Sequence, residues 1–219
     1  MDFVLFLAFS ILETCSMFYM LFRIFKIDLY PKEFIFVGFI LGFFSYVLRH
    51  DYNLVLVDIA FQYILTFCFL WLLFRIHIFY STIMTGMAYQ AYFLIQSLYY
   101  LILNLSNFYS LNSFYTISTY ILQTVSAITA FLIGRYISKK RKGFDFIPDK
   151  PNGKIPIMTR EKILFALSLP SILLFPLIYS FATNHLDYFI LLPISYGFLL
   201  YVYIYFSYKK DRGDNEQFS

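Results

Sequence analysis

Glu13 is the residue whose chemistry stands out, because its carboxyl lies about ten residues, or about 15 Å, inside an apolar run from Phe3 to Phe25. An ionisable side chain at that depth in hydrocarbon is costly, so it must face other protein and have a partner or a use. Asp58 lies about one turn into a later apolar run, and Arg49 closes the run before it. The short connection between them lets the two charges pair, either as a structural clamp or as part of a ligand site. Helical spacing sorts the remaining polar residues into stripes: Asp58, Gln62 and Thr66; Thr82, Thr85, Tyr89, Tyr92, Gln96 and Tyr99; and Thr116, Thr119, Gln123 and Ser126. Glu13, Gln62, Gln90 and Gln123 fall at comparable depth and are expected to form a polar layer, with amides donating to the carboxylate. Such a layer serves either as hydrogen-bonded glue between helices or as the wall of a cavity. The candidate ligand-binding residues are therefore Glu13, Arg49, Asp58, Gln62, Gln90, Gln96, Tyr99 and Gln123. Arg49, Asp58, Tyr99 and Phe108 would mark the entrance.

Catalytic constellations are missing from the sequence. Cys15 and Cys68 fall within apolar runs and read as small apolar filler. His50, His77 and His185 are scattered near the ends of runs without ligand spacing, so no metal site is expected. No HExxH, GxSxG, P-loop or GxGxxG occurs. The chain therefore reads as non-enzymatic, with no cofactor.

The elements that must position these residues follow from composition. Of 219 residues, 60% are apolar and 14% charged, against about 45–50% and about 25% in a soluble domain. Mean hydropathy is +0.68. A soluble, disordered, disulfide-stapled or nucleic-acid-binding chain is excluded by these values, and lipid is the expected solvent. Seven apolar runs approach the length of about 20 residues that crosses a bilayer: Phe3–Phe25, Phe34–Arg49, Leu54–Phe74, Ile78–Leu103, Phe114–Tyr136, Ile163–Ala182 and Tyr188–Phe206. The runs lack period-two alternation and are too long for barrel strands, so the expected fold is an all-α polytopic bundle of about seven helices. All but one of the 17 basic residues fall in alternate connections and after the last run, Arg49 being the exception. That asymmetry predicts an outside N-terminus and a cytoplasmic C-terminus. The basic residues follow the first run, which Asp2 precedes, so it reads as a retained helix and not as a signal peptide. Tyr30, Phe108, Tyr109 and Tyr208 fall at run ends, as an aromatic belt requires.

Four sections result: a five-helix unit at 1–137, a basic loop at 138–160, a two-helix unit at 161–208 and a charged tail at 209–219. Lys139 to Lys142 suit anionic headgroups, and Phe144 to Asp149 reads as an extended, turn-rich segment, either a solvated linker or a docking site. Gly38, Gly42, Ser45 and Arg49 form a small-residue stripe with a GxxxG spacing, suited to close helix packing and equally to a homodimer contact.

Leu12-Glu13-Thr14, Arg23-Ile24-Phe25-Lys26 and Ser45-Tyr46-Val47-Leu48-Arg49, with the topology and aromatic content, resemble the membrane input region of peptide-sensing receptor histidine kinases of Gram-positive bacteria, the accessory-gene-regulator type. The resemblance implies that a peptide is received outside and that a kinase is driven inside. After Tyr208 only Lys209 to Ser219 follow, with no phosphorylatable histidine helix and no ATP-binding domain, so an input module acting through a partner is expected. The leading expectation is a sensory or regulatory module, binding a small or peptide ligand from outside and engaging a cytoplasmic kinase or transporter partner. The alternatives are a small transporter or permease subunit with a polar path around Glu13, and a membrane assembly or export accessory. Beyond lipid and such partners, no nucleic acid is expected.

Overall fold

The computed structural model describes residues 2–105, 117–147, 162–168 and 191–217, and side chains over 3–103, 118–147, 162–168 and 191–212. Every regular element among the described residues is helical: α1 (Asp2–Ile24), α2 (Pro31–Tyr46), α3 (Val55–Cys68), α4 (Ile78–Leu105), α5 (Ile117–Lys140), α6 (162–168) and α7 (Leu191–Gln217). Single π-helical turns, Val47–Asp51 and Phe69–Leu73, prolong α2 and α3. The second run, short in the sequence, thereby reaches 21 residues. The fifth helix ends four residues later than its apolar run, with Lys139 and Lys140 in its last turn, where basic side chains suit the helix C-terminus. The last helix likewise runs through Lys209, Lys210 and Arg212, where a separate charged tail was expected. The expected sixth helix is described only over its first turns, and Phe114 and residues 169–182 lie outside the described residues.

Five helical stretches are long and apolar enough to cross a membrane: Phe3–Ile24, Pro31–Asp51, Val55–Leu73, Ser118–Lys140 and Leu191–Arg212. Their outward faces carry Ile35, Phe36, Phe39, Ile64, Leu72, Ile128, Leu132 and Phe198, all well exposed, a belt far larger than water tolerates on a monomer. The helix α4 has 28 residues, about 42 Å of rise, yet it is not one of these five stretches and carries many buried polar side chains. Its Ser81, Ile83, Met84, Thr85, Ala88 and Gln90 are fully buried. An inner helix faces protein on most sides, so it can carry hydroxyls and amides that a lipid-facing helix cannot.

Ring contacts fix the directions. Phe3 and Phe6 meet Tyr46 while Phe18 and Phe22 meet Phe34, so α1 and α2 are antiparallel. Gly38 and Gly42 face Ile11 and Ser10 at that crossing. The small-residue stripe is thus occupied within the chain by α1. Phe9 stacks on Tyr120 and Tyr19 on Phe131, so α5 runs parallel to α1. Phe93 meets Tyr196 and the Tyr203 hydroxyl reaches the Ile83 carbonyl, setting α7 antiparallel to α4. Ser168 of α6 meets Gly86. The two units of the sequence reading therefore share one core.

The end of the bundle that gathers the basic residues is packed solid. Phe18, Phe22, Phe34 and Phe74 form an aromatic cluster with Leu21, Val37 and Leu70, each 4% exposed or less apart from the half-buried Phe74. Below it, the stretch after α5 turns under the bundle: the Phe144 N–H donates to the Ile24 carbonyl, and Phe144 and Phe146 pack on Phe25. Lys210 donates to the Tyr80 hydroxyl at 3.1 Å and lies over the rings of Tyr80 and Phe146. Asp145 faces Lys26 at 3.6 Å, and its N–H donates to Asp211. The segment expected as a linker or docking site is thus, over residues 144–147, part of the packed core. Alternation explains it: Phe144 and Phe146 point one way and Asp145 the other in an extended chain.

At Gly134 an added Cβ would stand 2.9 Å from the Tyr19 ring and 3.0 Å from the Met20 backbone, whereas at Gly197 its nearest neighbour is 3.8 Å away. Gly134→Leu is expected to cost at least about 1–3 kcal/mol through overpacking, and Gly197→Ala less than about 0.5 kcal/mol. Thermal unfolding of the purified variants in detergent measures the difference. Equal stability of the two would contradict the close α1–α5 contact.

Candidate functional site

At the opposite end of the bundle, between α1, α2, α3, α4, α5 and α7, lies a cavity of about 300 Å³. It exists because the polar faces of the helices meet there, where hydrogen-bonding side chains cannot interlock as the phenylalanines do at the other end. On α1 the wall residues Phe6, Ser10, Glu13, Thr14 and Met17 follow helical spacing, so one face of the helix lines the space. Leu41 and Ser45 of α2, Ile59 of α3, Leu122 of α5 and Tyr196 of α7 close the other sides.

Glu13 is half-buried in this wall. The Gln96 amide donates to its Oε1 at 2.5 Å, and Tyr92 and Gln123 also face the carboxyl. A carboxylate offers about four lone-pair sites, and the three neighbours come from α4 and α5. Arg49 stands at the outer rim of the cavity, close enough to Glu13 for an electrostatic attraction. Its Nε is committed elsewhere, donating to Asp58 Oδ2 at 2.5 Å. Asp58 is fully buried and accepts further hydrogen bonds from the Ser45 hydroxyl at 3.0 Å and the Gln62 amide at 3.3 Å. Gln62 also donates to the Leu41 carbonyl at 2.7 Å. One guanidinium therefore serves two carboxyl groups, one by direct contact and one at longer range.

The eight candidate residues divide. Glu13, Arg49, Gln62, Gln96 and Gln123 line the cavity. Asp58 stands behind Arg49 and holds it. Gln90 is buried on another face of α4, donating to the Leu167 carbonyl at 3.1 Å, so Gln96 occupies the place beside Glu13 that the depth argument assigned to Gln90. Tyr99 faces α5, its hydroxyl 2.9 Å from Thr129 Oγ1. Phe108 and Thr116 lie outside the residues whose side chains are described. Ser10, Tyr100, Tyr120 and Tyr196 join the wall beyond the expected residues; Ser10 carries a sequence signal, since it lies on the face of α1 that carries Glu13 and Thr14. Buried polar atoms without a hydrogen-bond partner among the described residues include Tyr196 Oη and Gln123 Oε1, both on wall residues.

No family model matches this chain, and no curated protein or solved structure matches it either. The site has to be read from its own chemistry. Among the described residues no group of three or more His, Cys, Asp or Glu is placed to hold a metal ion. Cys15 and Cys68 are half-buried with free thiols, while His50 stacks on Tyr46 and meets Asp51 at 2.9 Å. What the wall offers is one carboxyl, one shared guanidinium, amides and phenol rings, a set suited to reversible binding.

Removing one member of a buried pair strands the other. Asp58→Leu is expected to destabilise the protein by about 3 kcal/mol, because Arg49, Ser45 and Gln62 lose a common acceptor. The double variant Asp58→Leu with Arg49→Met is expected to recover at least half of that loss. Chemical unfolding of the three proteins supplies the cycle, and additive losses would remove the pair from its structural role.

Proposed function

We propose that this chain is a multi-pass membrane protein, with its N-terminus outside and its C-terminus in the cytoplasm, that works as a non-enzymatic sensory or regulatory module. In this reading a small or peptide ligand enters the cavity from the outer side. The observation that carries it is the asymmetry of the bundle: the cavity with Glu13 and Arg49 occupies one end, while an aromatic plug and the loop clasp fill the other. The positive-inside rule assigns the cavity end to the outside, since Arg23, Lys26, Lys32, Arg75, Arg135 and the Lys139–Lys142 run gather at the plugged end. Among the described residues, the aromatic cluster of Phe18, Phe22, Phe34 and Phe74 stands between such a site and the other end of the bundle. The same asymmetry favours binding over transport, which requires a central site reached alternately from both sides.

The clasp supports the regulatory half of the proposal. Residues 144–146 touch the cytoplasmic ends of α1, α4 and α7 together, so a ligand that repositions α1 or α4 shifts the surface from which Lys139 to Lys142 and Arg212 project. A cytoplasmic kinase or transporter partner would read that surface, as the resemblance to receptor input regions implies. Ligand and partner must each discriminate between two arrangements of the bundle for this coupling to exist.

Single cysteines in a background carrying Cys15→Ala and Cys68→Ala test the reading. An impermeant thiol reagent added to intact cells is expected to modify Tyr52→Cys and Ser10→Cys but to reach Lys142→Cys only after permeabilisation. Leu122→Trp, which fills the cavity, is expected to slow the modification of Ser10→Cys at least tenfold. Reaction of Ser10→Cys from both sides would favour the transporter alternative, and reaction from the cytoplasmic side alone would reverse the proposed orientation.

A further inference from the structure

The charges around the cavity identify the class of ligand. Resting on the ligand-binding reading above, we infer that the cavity takes a primary ammonium group on an apolar body, with the ammonium seated against Glu13. Among the described residues the charged members of the wall are Glu13 and Arg49, and Asp58 stands directly behind. Arg49 already donates to Asp58, so the wall and its backing hold two acidic side chains against one basic one, and that one is committed. An anionic ligand would meet two acidic side chains for one committed guanidinium. A neutral ligand would leave that imbalance as it is, and a cation offsets it.

Hydrogen bonding points the same way. The Gln96 amide donates to one oxygen of Glu13 and Tyr92 and Gln123 also face the carboxyl, so of about four lone-pair sites about one is left for a further donor. An ammonium supplies three N–H donors. Beyond Glu13, the wall holds two further groups able to accept that have no partner among the described residues, Gln123 Oε1 and the Tyr196 hydroxyl. A donor-rich, acceptor-poor headgroup complements that arrangement. The rings around it extend the match, since Tyr92, Phe93, Tyr100, Tyr120 and Tyr196 line the same space and aromatic faces attract cations within about 6 Å. A volume of about 300 Å³ holds about ten water-sized groups, so the body is short: a small alkyl amine, or the amino-terminal residue of an apolar peptide.

Calorimetric titration of the full chain in lipid nanodiscs tests the assignment with ligands of equal apolar length. Octylamine, octanol and octanoate vary the headgroup, and leucinamide with its N-acetyl derivative represents a peptide amino terminus. Octylamine is expected to bind saturably and at least tenfold tighter than octanol or octanoate, with that advantage lost in Glu13→Gln. Leucinamide binding that is abolished by acetylation extends the site to peptide amino termini, whereas octylamine binding alone restricts it to small amines; both support the ammonium assignment. Octanol binding as tightly as octylamine in the wild-type chain, with both blocked by Leu122→Trp, would overturn the ammonium assignment and keep the cavity as a ligand site. Absence of saturable binding by every probe would overturn both. The wild-type headgroup series decides the matter even where Glu13→Gln fails to fold.

Discussion

A carboxyl group placed halfway along a lipid-crossing helix constrains everything near it. Glu13 cannot face hydrocarbon, where an unpaired ionisable group costs several kcal/mol by most measures. The face of α1 that bears it must therefore be covered by helices able to supply donors. The structure meets this requirement with Gln96 and Tyr92 from α4 and Gln123 from α5, with Arg49 at longer range from the end of α2. Donors from three separate helices converge on one side chain. Because amides, phenols and a guanidinium do not fill space as branched and aromatic hydrocarbons do, the convergence leaves a void. The cavity and the buried charge are thus two aspects of one packing problem.

The same constraint explains why α4 carries so many buried polar side chains. It supplies Tyr89, Tyr92 and Gln96 to the cavity end and Tyr80 and Ser81 to the other, and it touches α1, α3, α5 and α7. A helix surrounded by other helices spends its apolar residues sparingly, while α2, α3, α5 and α7 place theirs outward. Thr66 reaches the Tyr89 hydroxyl at 3.1 Å, and Tyr63 donates to the Ser168 carbonyl at 3.2 Å. Polar side chains on α3 thus tie it to the centre and to α6 from the side opposite the lipid.

Helical structure, and the likeness of five helices to membrane spans, could be read from composition and run length alone, since lipid leaves little choice of backbone. The Arg49–Asp58 contact was also legible, because nine residues and a short turn leave the two side chains within reach. The identity of the amide beside Glu13 was not. Gln90 and Gln96 are six residues apart on α4, a rotation of about 120° once full turns are removed. Which of them meets α1 depends on how α4 is turned, and that is set by neighbours distant in sequence. The parallel pairing of α1 with α5 was likewise hidden, since the contacts of Tyr19 with Phe131 and of Gly134 with Met20 have no local signature. The burial of Phe144 and Phe146 was masked by the prolines and glycines around them, which mark a loop without saying whether it is wet or dry.

The hydrogen bond between Glu13 and Gln96 spans 83 residues of chain, and this separation sets a clock on biogenesis. At about 5–20 residues per second, the first helix is made some 4–17 s before the amide that will meet its carboxyl. Gln123, on the helix that packs most closely alongside, comes later still. Before Gln96 is made, α2 and α3 are the other elements of the finished site already present, and Arg49 at the end of α2 attracts Glu13 only at longer range. A chain stalled before residue 96 would hold Glu13 without the amide that meets it in the finished structure.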